Sequence, residues 1–164
     1  MTNNFVFETD LVAKKIYVSR EFNAPVEKVW RAWTEPDLID KWIAPKPWSA
    51  KTKTWDFKVG GAWLYAMIGT EGQKHWVYAE FTAIENGSAF STKGLFCDGE
   101  GNPVTAGPKS YRDTKFLAIE GNRAKVESVI TFEDESTIKM FVDNGFKEGT
   151  AASLANLDDL LASE

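Results

Sequence analysis

The chain contains very few of the residues that build metal sites and covalent cross-links. Its 164 residues include one cysteine, Cys97, and one histidine, His75. A lone cysteine cannot form an intramolecular disulfide, and these two side chains cannot supply the paired ligands of a structural zinc site. We therefore expect no disulfide framework, no metal and no cofactor.

An excess of positive charge is also missing. The chain carries 19 Lys and Arg against 24 Asp and Glu, a formal net charge of −5. Proteins that bind nucleic acids need a basic surface, so nucleic acid is not expected as a partner. No apolar run approaches the roughly 18 residues of a membrane-spanning helix. The N-terminal residues include acids and lack a basic-then-apolar targeting signal, which predicts a cytoplasmic protein.

Aromatic residues, by contrast, are abundant. Seven Trp, eleven Phe and four Tyr make up 13% of the chain. Each can bury roughly 150–250 Å² of surface, so most of them are expected in a core. The length fits one compact domain, since chains divide into several cores mainly beyond roughly 250 residues. We assign residues 12–163 to a single domain and residues 1–11 to an N-terminal tail.

The N-terminal part of this domain predicts one strand and two short helices. Residues 12–22 alternate apolar and polar side chains, which is the period of a strand. Pro25 interrupts the strand, and the apolar residues of 26–33 then recur at the spacing of a helix. A second helical pattern follows over residues 37–44.

The rest of the chain predicts a sheet followed by helices. Between residues 50 and 132 the apolar period is two and glycine-containing turns separate the segments, as in antiparallel hairpins. The predicted strands are 51–58, 62–69, 74–85, 89–97, 112–120 and 123–132. A helical stretch over 136–145 leads into a long amphipathic helix over 146–163.

This order of elements predicts an α+β protein. A curved, seven-stranded antiparallel sheet would wrap around the long C-terminal helix, with two short N-terminal helices, in the arrangement called a helix grip. Gly149 and Ser153 place small residues in the apolar stripe of that helix. Small residues there would leave space for a pocket between helix and sheet.

Three segments resemble one known family. Residues 22–42 read FNAPVEKVWRAWTEPDLIDKW, residues 56–61 read DFKVGG, and residues 153–161 read SLANLDDLL. Over about residues 12–162 the chain resembles the activator of heat-shock protein 90 ATPase homologue family, part of the START-like (SRPBCC, Bet v 1-like) superfamily. The resemblance implies a fold with a cavity rather than one particular reaction, and the family name implies a link to the stress response.

Two positions depart from the family pattern. Lys58 stands where the family usually has arginine before two glycines, and Thr150 stands where it often has tryptophan. The smaller Thr150 implies a larger cavity. In the eukaryotic co-chaperone of the family, this fold is the C-terminal half and follows a domain that contributes to chaperone activation. We expect no such domain in a chain of 164 residues.

Alternating residues on the predicted inner face are the candidates for a cavity lining. Trp63, Tyr65 and Met67 share one face of a strand, and Val77 and Phe81 lie on the next strand. The predicted ligand-binding residues are Trp63, Tyr65, Met67, Val77, Phe81, Phe116, Val126, Ser128, Ile130, Phe141, Phe146, Thr150 and Leu154. The alternative is that they only pack against the C-terminal helix, since buried aromatic residues usually belong to a core.

No combination of residues predicts a catalytic centre. His75 has no nucleophile or carboxylate partner in a motif, and Cys97 is expected as a small, partly buried side chain. Asp56 is better explained as part of a turn, where its carboxylate caps the backbone or pairs with a base such as Arg20. The acids at 158–159 are expected to be solvated charges on a helix.

The segment 98–110 is predicted to control access to the cavity. It is rich in glycine and proline, and its main apolar residue is Val104. Glycine lowers the barrier to backbone rearrangement, and few apolar contacts would anchor the segment. We expect it to act as a mobile gate on the microsecond scale. The alternative is an idle surface loop.

We interpret the sequence as a small-molecule binding domain that holds an apolar or aromatic ligand between sheet and C-terminal helix, without catalysis. One alternative is a cyclase- or hydrolase-like enzyme on an aromatic or polyketide-type substrate, by analogy with related folds. Its acid–base groups would come from Tyr65, Tyr78, Asp56, His75 or Glu80. Another is a co-chaperone-like interaction protein. The expected partner is a hydrophobic or aromatic small molecule, and a chaperone or a second copy of the chain are the alternatives.

Overall fold

The computed structural model describes residues 4–163, which form eight strands and four helices. The strands are β1 (Val6–Asp10), β2 (Lys15–Phe22), β3 (Ser49–Trp55), β4 (Ala62–Ile68), β5 (Lys74–Glu85), β6 (Ala89–Leu95), β7 (Lys109–Ile119) and β8 (Arg123–Phe132). The helices are α1 (Val26–Thr34), α2 (Pro36–Ile39), α3 (Glu135–Asp143) and α4 (Phe146–Ser163). The predicted α+β class and the helix-grip order are confirmed.

All eight strands belong to one antiparallel sheet, in the order β1-β2-β8-β7-β6-β5-β4-β3. The predicted count of seven strands is wrong, because β1 comes from the segment 1–11 that was expected to be a tail. Its residues pair with β2 from Val6 opposite Ser19 to Asp10 opposite Lys15. Phe7 of β1 packs against the hydrophobic cluster around Ile16, which explains why this short edge strand forms. Residues 1–3 of the predicted tail lie outside the described residues.

The remaining predicted elements are present, with shifts at their ends. The largest difference concerns the helix predicted over 37–44. Helix α2 ends at Ile39, and turns follow over 40–42. These turns direct Trp42 into the core, where its Nε1 donates a hydrogen bond to the carbonyl oxygen of Ala32 at 2.9 Å.

The long helix α4 packs against the inner face of the sheet and against α1. Its Leu154, Leu157 and Leu161 belong to the main hydrophobic core, together with Phe22 of β2 and Val126 of β8. Burial of each such side chain stabilises the fold by roughly 1.5–3 kcal/mol before the cost of ordering the chain is subtracted. The core therefore determines which face of α4 meets the sheet. Among residues 4–163, no helix is long and apolar enough to cross a membrane.

The turn between β3 and β4 contains the two adjacent glycines. Gly60 has a φ of +88°, and a Cβ at Gly61 would lie 2.1 Å from the carbonyl oxygen of Asp56, so only glycine fits at Gly61 without rearrangement. Asp56 is thus part of a turn, as expected. Its carboxylate lies 3.6 Å from the ammonium group of Lys58 in an exposed pair, whereas Arg20 pairs with a different residue, Asp158.

Candidate ligand-binding site

Two adjoining cavities lie between the sheet and the helices. The larger compartment, about 350 Å³, is bordered mainly by β4 to β7 and by α3. The smaller compartment, about 240 Å³, lies beside α4. The residues that border both are Trp33, Ile43, Tyr65, Met67, Arg112 and Phe146. Because they share these walls, the two compartments lie directly side by side.

Aromatic side chains of β3 and β4 form one wall of the larger compartment. The rings of Trp63 and Tyr65 stack with their centres 4.2 Å apart, and Trp55 meets Trp63 edge-on at 5.6 Å. The Trp63 Nε1 donates to the Thr52 hydroxyl at 3.0 Å, and that hydroxyl donates to the Asp40 carboxylate at 2.6 Å. This chain of hydrogen bonds fixes the orientation of the Trp63 ring, because a buried indole N–H needs an acceptor.

Short side chains of α4 form one wall of the smaller compartment. Gly149, Thr150 and Ser153 border this space, with Val126 and Ser128 of β8 also in its lining. The Ser153 hydroxyl donates to a main-chain carbonyl at 2.8 Å and is therefore satisfied. The small residues that the sequence placed in the stripe of α4 thus do coincide with unfilled volume.

Tyr65 and Arg112 are polar groups at the junction of the two compartments. Burial raises the pKa of the Tyr65 hydroxyl to about 12; the positive charge of Arg112 acts in the opposite direction, and the negative charge of Asp40 adds a smaller increase. This phenol is protonated at neutral pH. Burial also lowers the pKa of the Arg112 guanidinium, while the nearby Tyr65 acts in the opposite direction. A guanidinium nevertheless stays charged at neutral pH. The junction therefore combines a neutral hydroxyl donor with a positive charge.

The segment 98–110 is more ordered by hydrogen bonds than its composition suggested. The Asp98 carboxylate accepts hydrogen bonds from the backbone N–H groups of Glu100 at 2.9 Å and Asn102 at 3.0 Å. Cys97 and Pro103 form an isolated antiparallel bridge. The backbone N–H of Val104 donates to a carbonyl oxygen of the preceding segment at 2.7 Å. These bonds give the segment the form of a small hairpin.

The segment is held against the cavity wall mainly by Gly101, which packs on the ring of Trp76 in β5, and not by Val104. Gly101 has a φ of +85°, and a Cβ at this position would lie 2.9 Å from the Trp76 ring. Val104 is instead 40% exposed. Trp76, Pro108 and Lys109 border the larger compartment, so this hairpin and its end form part of the wall. A gating motion of the segment stays a prediction.

Within the described residues, His75, Asp56 and Cys97 form no hydrogen bond or ion pair with one another. His75 is exposed at the edge of the larger compartment, and Asp56 lies on the exposed turn after β3. Burial, together with the charge of Asp98, raises the pKa of the Cys97 thiol and so disfavours the nucleophilic thiolate. In the described part of the chain, no group of three or more His, Cys, Asp and Glu could hold a metal ion.

The predicted lining residues are found largely around these two compartments. The larger compartment is bordered by Trp63, Val77, Phe81, Ile130 and Phe141, the smaller by Val126, Ser128, Thr150 and Leu154, and both by Tyr65, Met67 and Phe146. Phe116 instead lies in the main core, where its ring packs edge-on against Trp30 at 5.0 Å. Contact of these residues with a ligand stays a prediction.

Sequence reasoning missed Arg112 as a wall residue. The strand containing it was predicted to begin at residue 112, whereas β7 begins at Lys109, so Arg112 lies inside the strand. Arg112 lies on the same face of β7 as Thr114 and Phe116, both of which are buried. The alternation of residues 112, 114 and 116 could have indicated this position, because alternate residues of a strand face the same side.

A single antiparallel sheet against a long C-terminal helix, with an interior cavity between them, defines a START-like domain. Residues 23–162 match the family described as Activator of Hsp90 ATPase homolog 1-like protein, and the chain belongs to this family. Comparison with curated protein sequences gave no significant match.

Solved structures of bacterial proteins share the fold over nearly the whole chain. A solution structure from Arthrobacter aurescens is 28% identical, with a TM-score of 0.88 over 97% of this chain and 92% of that one. The crystal structure of protein Ms6760 from Mycobacterium smegmatis is 26% identical, with a TM-score of 0.86 over 96% and 97%. A solution structure from Staphylococcus epidermidis is 25% identical, with a TM-score of 0.83 over 96% and 94%.

Proposed function

We propose that this protein binds an apolar or aromatic small molecule between the sheet and α4. The observation that carries the proposal is the pair of adjoining compartments, about 350 and 240 Å³, with walls that are mainly aromatic and aliphatic. Small-molecule sites commonly occupy roughly 300–1,000 Å³. Unfilled space inside a protein sacrifices packing contacts, and an apolar ligand in these compartments would recover them.

The arrangement of the walls favours a ligand with a flat ring. The stacked pair of Trp63 and Tyr65 offers an aromatic surface whose orientation is fixed by the hydrogen bond from Trp63 to Thr52. A fixed ring loses little conformational entropy when a ligand binds to it. Aromatic groups stacked or packed edge-on against such a surface gain about 0.5–1.5 kcal/mol beyond the burial of their area.

The enzyme alternative has less support. Cyclase- or hydrolase-like chemistry needs an acid or base that reaches the substrate. Among the described residues, neither compartment has Asp or Glu in its lining, and His75 lies exposed at the edge. Tyr78 and Tyr65 remain as hydroxyl groups in the lining. A co-chaperone-like role rests on family membership alone.

Native mass spectrometry of gently purified protein tests the proposal directly, because a retained ligand would add its own mass. A second test uses N-phenyl-1-naphthylamine, a neutral aromatic probe that fluoresces in apolar surroundings. We expect Ala79→Leu, which places a larger side chain in the larger compartment, to weaken binding of this probe about tenfold or more, since the added side chain collides with an aromatic ring bound there. Ala83→Leu on the exposed face of β5 is the matched control and should leave the affinity unchanged. Absence of both a retained ligand and probe binding by the unmodified protein would refute the proposal.

A further inference from the structure

We propose that the ligand is an organic anion whose negative group binds Arg112 while its apolar body fills the two compartments. This inference rests on the proposed function, because it assumes that the cavity is a ligand site. Arg112 borders both compartments, so a group bound to it would have apolar space on either side.

Arg112 has no partner for its charge. Within residues 4–163, its guanidinium forms neither an ion pair nor a hydrogen bond. Every other arginine of the chain has a carboxylate partner: Arg20 pairs with Asp158, Arg31 with Glu35, and Arg123 with Glu21. A guanidinium held inside a protein without an acceptor costs free energy, which an anion in the cavity would recover.

The charges around the cavity favour an anion. Although the chain has a net charge of −5, the charged residues of the lining are Arg20, Lys109 and Arg112, and the described lining contains no carboxylate. Asp158 neutralises Arg20. The nearby Asp40 is engaged by the backbone N–H and the hydroxyl of Thr52, at 2.9 and 2.6 Å. The Lys109 ammonium donates to the Thr105 carbonyl oxygen at 2.9 Å, whereas the Arg112 guanidinium has neither a carboxylate nor a hydrogen-bond acceptor in the described part of the chain.

Neutral hydroxyl groups beside Arg112 extend the same site. Thr92 of β6 lies directly opposite Arg112 in the sheet register, and Tyr65 borders both compartments. The Tyr65 phenol is protonated at neutral pH, as an ordinary tyrosine is, so it can donate a hydrogen bond to an anion. Carboxylate and sulfonate oxygens match the planar fork of an arginine, which can bind two of them at once.

Two probes with the same aromatic skeleton test this inference. N-Phenyl-1-naphthylamine is neutral, and 1-anilinonaphthalene-8-sulfonate carries one sulfonate on the same rings. We expect the unmodified protein to bind the sulfonate at least about tenfold more tightly, since a hydrogen-bonded charge pair in a protected site commonly contributes that much. Arg112→Gln should remove this preference, with a loss of about tenfold or more for the sulfonate and less than about twofold for the neutral probe.

Lys115→Gln is the matched control, because it removes a positive charge from the exposed face of the same strand. It should change neither affinity by more than about twofold. Arg112→Lys keeps the charge but loses the planar fork, so it should reduce the preference for the sulfonate in part, and this intermediate value provides a second test if Arg112→Gln folds poorly. Melting curves of both variants report their folding.

The outcomes separate this inference from the proposed function. Equal affinity of the unmodified protein for the two probes would overturn the anion site while leaving the apolar cavity as a binding site. A preference for the sulfonate that Arg112→Gln leaves intact would also overturn it, because the charge responsible would then lie elsewhere. If neither probe binds to the unmodified protein and no retained ligand is found, both the anion site and the proposed function are wrong.

Discussion

Arg20 on β2 and Asp158 on α4 form a two-pronged ion pair that joins the sheet to the C-terminal helix. Arg20 Nη1 donates to Asp158 Oδ1 at 2.7 Å, and Nη2 donates to Oδ2. The Arg20 side chain is 9% exposed, and its guanidinium also lies 4.9 Å from the centre of the Phe22 ring. Since Arg20 borders the smaller compartment, the pair helps to define the separation between α4 and the sheet there.

We predict that Asp158→Ala lowers the free energy of unfolding by about 2 kcal/mol, because it leaves the Arg20 guanidinium buried without its carboxylate. This loss is smaller than the loss expected for a fully buried ion pair, because Asp158 is 35% exposed. Urea denaturation monitored by tryptophan fluorescence would measure it. Asp159→Ala, at the exposed neighbouring position, should change stability by less than about 0.5 kcal/mol. Equal effects of the two substitutions would show that the ion pair contributes nothing to the free energy of unfolding.

This pair also shows where sequence reasoning stops. The sequence predicts that the acids at 158–159 are solvated and offers Asp56 as a partner for Arg20; this is wrong for Asp158, which is the residue that pairs with Arg20. Periodicity correctly placed residues on faces of α4 and of the strands, but it does not determine which charges meet across elements. Arg20 and Asp158 are 138 positions apart, and only the packing of α4 on β2 brings them together.

The boundaries of the long hairpin strands could be predicted because local backbone chemistry determines them. Strand β5 lies between turns at Gly72 and Gly87, and Gly121 precedes β8; these glycines have φ values of 81° to 85°, which favour glycine. Strand β1 was missed because an edge strand of five residues with mostly exposed side chains has little periodic signal. Arg112 was missed for a related reason: in a sequence, a charged residue that faces a cavity gives the same pattern as one that faces water.

A second prediction concerns the hydrogen bonds that orient Trp63. Thr52→Val keeps the shape of the side chain but removes the acceptor of the Trp63 indole and the donor to Asp40. We expect a loss of about 1–2 kcal/mol in the free energy of unfolding, since the indole N–H is left unpaired. We also expect weaker binding of N-phenyl-1-naphthylamine. Thr54→Val, an exposed position on the same strand, is the control; a similar loss there would attribute the effect to strand propensity instead.

A third prediction concerns the response of the segment 98–110 to acid. Hydrogen bonds from the backbone of Asn102 and Glu100 lower the pKa of Asp98 below its ordinary value of 3.8. A carboxyl group whose pKa is lowered in the folded state stabilises that state at pH values above its ordinary pKa. This contribution is lost as the pH falls through the lowered pKa of the folded state. The hairpin should therefore loosen in acid.

NMR shifts of the Glu100 and Asn102 amide protons, followed from neutral pH to below 3.8, would detect this change. Asp98→Asn is the control, because its side chain keeps an acceptor oxygen and does not titrate. The shifts that accompany acidification should be absent or much smaller in Asp98→Asn. Identical pH profiles in the two proteins would show that another group is responsible.

The last prediction tests whether the segment 98–110 is a gate. Gly101→Ala should strain the backbone by about 1–2 kcal/mol, because φ is +85° there, and its Cβ would collide with the Trp76 ring at 2.9 Å. We expect the Val104 amide to exchange its hydrogen faster and N-phenyl-1-naphthylamine to associate and dissociate faster in stopped-flow measurements. Gly99→Ala is the control, since its Cβ would meet no atom within 4 Å. Faster exchange of the Val104 amide with unchanged probe kinetics would mean that the segment moves without controlling access, and the gate would then be wrong.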